Sequence, residues 1–260
     1  MTDAAPRPPR FGRADLQVHT AYGDGMDSAR SVFDHVEARA ELDVVAVTDH
    51  DDVRGALEAR EVHARGGYHF DLVTGIEVTT LHGHLLALWV DRPVASFKRI
   101  EDTIAAIHQA GGLAVVPHPF SLLTRSVGRR TLDRVMRIED PATHPDGIEL
   151  ANPMMRGWDV GERAERGNRE RWHLAETGGS DAHFCETVGT AYTQFPGRTA
   201  EDLRRAILER RTAGVLVRTT PYREIGARRL VLQQVRGLSV TPRKVIGGRI
   251  ERWREARAAR

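Results

Sequence analysis

Short apolar runs alternate with stretches of helical spacing along this chain, and that alternation restricts the fold more than any other feature of the sequence. Runs such as Asp43-Val-Val-Ala-Val47 and Leu113-Ala-Val-Val116 are uninterrupted and largely β-branched, the pattern of strands buried on both faces in a parallel sheet. The intervening stretches put apolar residues on one stripe. Val32, Phe33, Val36 and Ala40 follow a cap at Asp27 or Ser28, and Phe97, Ile100, Ile104 and Ile107 follow a cap at Ser96. Thr199 and Asp202 have the spacing of a capping box ahead of Leu203, Ala206 and Ile207. Strands alternating with helices predict parallel βα units, closed as a barrel or wound as an open sheet.

The residues that end the runs decide between the two. Gln17 and His19 share one face of the first strand, and Asp24 lies in the loop after it. His50 follows the run at 43–47, Glu77 lies near the end of a strand over 69–78, and His84 introduces an apolar run over 85–90. His118 follows the run at 113–116. Asp181 and His183 come after a polar helix through Arg169 to Glu176. A βα barrel gathers the C-terminal ends of its strands around one site, so ligand-type side chains at nearly every strand end favour a barrel. Imidazoles and carboxylates from several strands suit Zn²⁺, Mn²⁺ or Fe, with a carboxylate able to bridge two ions.

Composition adds limits. With 260 residues the chain can form one large α/β domain and a tail, and no apolar run reaches the ~18–20 residues that span a bilayer. One cysteine, Cys185, rules out an internal disulfide and fits a reducing cytoplasm. Residues 1–197 hold 21 Lys or Arg against 30 Asp or Glu, whereas residues 198–260 hold 17 against 6. A basic tail on an acidic body is expected either to dock on that body or a partner, or to contact nucleic acid or an anionic surface. Its stripe of Ile246, Ile250 and Trp253 predicts a helix. The proline-containing residues 1–13 are expected to be a disordered lead-in, 14–220 the barrel, and 221–260 a basic, helical extension.

Five ordered motifs resemble those of the PHP (polymerase and histidinol phosphatase) family of metal-dependent phosphoesterases. Asp15-Leu16-Gln17-Val18-His19 with Gly23-Asp24-Gly25 is similar to its opening Asp-Leu-His-x-His and Ser-Asp-Gly. Thr48-Asp49-His50, Gly75-Ile76-Glu77 with His84-Leu85-Leu86-Ala87, His118-Pro119 and Gly179-Ser180-Asp181-Ala182-His183 follow in order. The resemblance implies a distorted (β/α)7 TIM-like barrel with two to three divalent metal ions. Gln17, His19, Glu77 and Asp181 would hold one, Glu77 would bridge to a second held by His84 and His118, and Asp24, His50 and His183 would hold a third. Gln17 departs from the family's imidazole; an amide oxygen is a weaker donor to Zn²⁺, so the ion there should bind less tightly. The short spacing from His84 to His118 leaves out a helical insertion that caps the pocket in nucleotide-cleaving members, which predicts an open site.

The implied chemistry is hydrolysis of a phosphoester by a metal-activated hydroxide, with Asp181, His183 and His50 as the catalytic residues. Arg125, Arg130 and Arg156 are the expected phosphate-binding residues, since guanidinium holds phosphate oxygens bidentately. Substrates of this kind include a phosphorylated small molecule, a nucleotide or a nucleic-acid end. The alternatives are an amidohydrolase-like enzyme acting on a carboxamide or lactone, and a catalytically weakened metal-containing module that binds nucleic acid through its basic tail.

Overall fold

The protein is described by a computed structural model covering residues 11–121, 124–155, 160–219 and 222–239. A sheet in the order β7-β6-β5-β4-β3-β2-β1-β8-β9 curls until its flanks meet. Its strands are β1 (Phe11–Val18), β2 (Val44–Val47), β3 (Asp71–Thr80), β4 (Gly83–Leu88), β5 (Leu113–Val116), β6 (Gly147–Ala151), β7 (Ala175–Gly178), β8 (Ala191–Pro196) and β9 (Ala213–Leu216). Thr193 Oγ1 of β8 accepts from Gly178 N of β7 at 2.9 Å, which makes the barrel nearly closed. Gly214 of β9 packs so tightly on β7 that a Cβ there would stand 2.4 Å from the Thr177 carbonyl oxygen.

The βα pattern holds, but the strands are not all parallel. β4 runs antiparallel to both β3 and β5, and β8 antiparallel to β1. The Leu81-His82 pair turns β3 directly into β4 as a hairpin, and antiparallel neighbours need no crossover helix. β8 is largely buried between β1 and β9 but mixes Thr193 and Gln194 among its apolar residues and has no ligand at its end, so no apolar run marks it in the sequence.

Helices cover the outside: α1 (Ala29–Arg39), α2 (Arg54–Gly66), α3 (Ile100–Gln109), α4 (Arg129–Val135), α5 (Val160–Gly167), α6 (Ala200–Leu208), the short α7 (Tyr222–Ile225), and α8 over residues 227–239. Ser28 caps α1 by accepting from Ser31 N, and Thr199 with Asp202 forms the capping box of α6. Ser96 does not cap α3, whose cap is Arg99; its hydroxyl instead donates to Asp51 Oδ1 at 2.6 Å. The polar helix lies earlier than its sequence pattern indicates, in α5 and a wider-wound turn at Asn168–Trp172, because Glu176 belongs to β7. Ile104, Ile107, Val116 and Ile148 are buried between the sheet and its helices, and Phe33 seals α1 against β2. No helix among the described residues is long and apolar enough to cross a membrane. The tail stripe Ile246, Ile250 and Trp253, and residues 1–10 of the lead-in, lie outside the described residues.

Candidate metal centre

The strand ends bring their polar residues to one mouth of the barrel. β1 delivers Gln17 and His19, both buried, and Asp24 follows in the loop. Glu77 sits in β3 paired to β4, with His50 joined to it by an isolated bridge. His84 opens β4, His118 follows β5, and Asp181 with His183 follows β7. His118 and Asp181 have φ of 29° and 52°, a left-handed backbone that costs non-glycine residues energy and that clusters at functional sites.

Glu77 is the centre of the arrangement. Its Oε2 lies 3.1 Å from His19 Nε2, and its Oε1 lies 2.7 Å from His84 Nδ1 and 3.1 Å from His118 Nε2. Gln17 Nε2 donates to Glu77 Oε2 at 2.9 Å. Asp181 Oδ1 is 3.3 Å from His19 Nε2, and Asp24 Oδ2 is 3.2 Å from His183 Nε2 and 3.8 Å from His50 Nε2. Three groups have ligand atoms within 4.8 Å of one another: His19, Glu77 and Asp181; His50, Glu77 and His84; and His19, Asp24, His50 and His183. His50 and His19 thus each belong to two groups, a sharing the motif order alone did not resolve.

Electrostatics fit the donor set to cations. Burial opposes ionisation of Glu77, yet the charges of His50 and His84 and hydrogen bonds from His118 and His19 hold its carboxyl well below the usual range. Burial likewise opposes a charged His118, but Glu77 raises its pKa to about 9. Burial dominates at His50 and lowers it to about 4. Protons on imidazoles therefore balance the carboxylates, and bound cations would take their place. Gln17 Oε1 and Asp24 Oδ1 have no hydrogen-bond partner among the described residues, although both are buried. Buried oxygen atoms are rarely left so, and oxygen suits a divalent cation. The residues present fit a metal cluster.

Behind the ligands stands a layer of residues whose role the sequence did not disclose. Asp15 accepts from Ser180 N and Oγ at 2.9 and 2.6 Å and from Gly189 N at 2.8 Å, tying the loop of Asp181 to β1. Asp49 accepts from Thr20 N and Oγ1 at 2.8 and 2.7 Å, fixing the chain after His19. His118 Nδ1 lies 3.0 Å from Ser126 Oγ and 3.1 Å from Thr124 Oγ1, which orients the ring with Nε2 toward Glu77. Glu149 accepts from His118 N at 2.7 Å and Asn152 Nδ2 at 3.0 Å, and burial pushes its carboxyl up to about 8.

A cavity of about 560 Å³ opens above the cluster and is lined by His50, His84, Asp181 and His183. Arg125 lines it from the rim, whereas Arg130 is exposed on α4 and is not among its lining residues; Arg156 lies outside the described residues. The mouth is partly covered. Leu230, Gln233 and Gln234 of α8, the last helix among the described residues, line the same cavity on the side that the short spacing from His84 to His118 leaves without an insertion. The sequence signal for this was Arg229 and Arg236, seven residues and two turns apart on one helix face.

Comparison with known proteins agrees with the fold. The family described as PHP-associated matches residues 162–212. The uncharacterized protein MJ1587 of Methanocaldococcus jannaschii is 29% identical over 151 residues, covering 54% of this chain and 81% of that protein. A two-domain protein from Bacteroides vulgatus containing a predicted PHP-like metal-dependent phosphoesterase superposes with a TM-score of 0.63 at 20% identity. That match covers 80% of this chain and 65% of the other, so this chain spans a little under two thirds of the Bacteroides protein. An amidohydrolase from Chromobacterium violaceum, solved with bound sulfate and no metal, superposes with a TM-score of 0.55 at 21% identity over 79% of this chain and 98% of its own.

Proposed function

We propose that this chain, which is similar over residues 162–212 to the PHP-associated family and in fold to a PHP-like metal-dependent phosphoesterase, is a metal-dependent hydrolase of phosphoester bonds whose substrate is a phosphorylated small molecule. The observation that carries this reading is the sharing of Glu77 between ligand groups in one cavity that also presents Arg125. Gln17, His19, Glu77 and Asp181 would hold one divalent cation, Glu77, His84 and His118 a second, and Asp24, His50 and His183 a third. Mn²⁺, Zn²⁺ and Fe²⁺ all suit such donors. Such ions lower the pKa of water and stabilise negative charge on phosphoryl oxygens.

The chain's own groups do the rest. Arg125 pairs with non-reacting phosphate oxygens and orients phosphorus toward the cluster. As the water oxygen bonds to phosphorus and the P–O ester bond breaks, Asp181 takes the water's proton, the leaving alkoxide is protonated from solvent, and the alcohol and inorganic phosphate depart. His183 Nε2 holds Asp24 Oδ2 at 3.2 Å, and His50 Nε2 stands 3.8 Å from the same oxygen. Cys185 takes no part: burial raises its thiol to about 12. A lone protonated thiol is consistent with a cytoplasmic setting.

The likeness to the Chromobacterium amidohydrolase favours a second reading, hydrolysis of a carboxamide or lactone. Protein loaded with Mn²⁺, Zn²⁺ or Fe²⁺ should turn over simple phosphomonoesters, and Asp181→Asn and His50→Ala should abolish that turnover. Hydrolysis of amides or lactones alone, or of nothing with any of the three metals, overturns the proposal.

A further inference from the structure

We infer that α8 is a latched roof that restricts the site to small, hydroxyl-bearing phosphomonoesters and excludes phosphorylated polymers; this rests on the phosphoesterase reading above. The roof is close to the cluster. A Cβ on Gly237 would stand 3.2 Å from Asp24 Oδ2 and 3.8 Å from Gln233 Nε2, so helix backbone and the Gln233 amide both border the space over a metal-ligating carboxylate. Gln233 is 8% exposed, although it lies in a helix whose Val231 and Val235 are each 62% exposed. The face turned inward places the Gln233 amide and Gly237 between Leu230 and Leu238, all of which line the cavity.

Two arginines fasten this face. Arg236 donates to the carbonyls of Ala21 and Gly23, on the loop that carries Asp24, with Nε 2.8 Å from the Gly23 oxygen. Arg229 pairs with Glu186 and lies 3.5 Å from Asp27 Oδ2. Between α7 and α8, Gly226 has φ of 82°, a left-handed turn that glycine takes without strain; its N–H donates to the Tyr222 carbonyl and its own carbonyl accepts from Leu230 N, which joins it to both helices.

Charge gives an independent reason. Arg125 is the one Lys or Arg among the described residues lining the cavity, because the inward arginines of α8 are engaged at its edge. One guanidinium suits one phosphate, whereas a nucleic-acid strand is tracked by a succession of cations. The roof offers Gln233 and Gln234, whose amides are joined by Gln234 Nε2 donating to Gln233 Oε1 at 2.9 Å, which leaves Gln233 Nε2 as donor and Gln234 Oε1 as acceptor for sugar or polyol hydroxyls. A volume of about 560 Å³ accommodates such an alcohol but no chain continuing through α8.

The test compares ribose 5-phosphate with a 5′-phosphorylated dodecanucleotide on the full, metal-loaded chain. The native protein should favour the sugar phosphate in kcat/KM by at least about a hundredfold. Arg229→Ala with Arg236→Ala should narrow that ratio by about tenfold or more, and Gln233→Ala should raise KM for ribose 5-phosphate with little change in kcat. Inorganic phosphate should slow amide hydrogen exchange across residues 227–239 in the native protein but not in the double arginine variant. Equal hydrolysis of both substrates, or a ratio and an exchange pattern unmoved by cutting the latches, overturns the inference. Absence of turnover on both substrates overturns the phosphoesterase reading alone, since slowed exchange would still identify α8 as the cover of an anion site.

Discussion

Two sets of buried or half-buried carboxylates occupy the same end of the barrel, and their partners separate them. Asp15 and Asp49 accept from backbone N–H groups and from the hydroxyls of Ser180 and Thr20. Glu77, Asp24 and Asp181 face imidazoles instead. An amide N–H cannot give way to a cation, whereas an imidazolium loses its proton and becomes a ligand. Depth of burial therefore does not distinguish scaffold from site; the exchangeability of the donor does. The first set should hold its geometry with or without metal, and the second should change protonation when metal arrives.

The largest expected effect lies in the second set. Glu77→Gln should lower turnover by about two to three orders of magnitude and reduce bound metal, because a shared anionic ligand becomes a neutral amide. Thermal melting of the metal-free variant should stay close to that of the metal-free native protein. Collapse of the metal-free fold would break the comparison by showing that Glu77 belongs to the scaffold.

Asp15→Ala should do the reverse. It strands the N–H groups of Ser180 and Gly189, at a cost of about 2–4 kcal/mol by denaturant unfolding, in metal-free protein as much as in loaded protein. A loss seen only in the presence of metal would place Asp15 with the ligands.

Gln17 sits on the boundary between the sets, as a buried amide that donates to Glu77 while its own oxygen has no hydrogen bond among the described residues. Gln17→His should raise metal affinity at one position by about tenfold, read by titration against a chelator. Unchanged stoichiometry and affinity would mean that Gln17 only steadies Glu77.

The sequence disclosed the ligands more readily than the residues that support or cover them. His50 and His118 were legible because each follows an apolar run, and a barrel turns such ends to one face, whereas His19 and Asp181 were legible from the motifs Asp15-Leu16-Gln17-Val18-His19 and Gly179-Ser180-Asp181. Asp15 was visible in a motif, but its role depends on Ser180, 165 residues away, and spacing carries no such information. The antiparallel β4 was hidden because a continuous apolar run is alike in either direction. The roof was hidden for a related reason. Gln233 and Gln234 are ordinary surface residues until Arg229 and Arg236 find Glu186 and the Ala21 and Gly23 carbonyls.

The smallest effect sharpens the comparison with a third kind of carboxylate. Glu101 begins α3 outside the barrel, and Arg134 forks onto it with Nη1 at 2.9 Å and Nη2 at 3.1 Å. Arg134, against the opposing effect of burial, holds its pKa at about 2. A carboxyl depressed in the folded state stabilises fully above its unfolded pKa, and that stability is lost as pH falls through the folded value. Glu101→Gln should therefore cost about 1 kcal/mol at neutral pH and progressively less between pH 4.5 and 2. Asp15 works in the opposite sense, since burial raises it to about 6 and its ionisation opposes folding as pH rises from 4 to 6. Unfolding free energies of the metal-free native, Glu101→Gln and Asp15→Ala proteins across pH 2–7 separate the two slopes. A Glu101→Gln penalty independent of pH would mean that the fork contributes packing rather than charge.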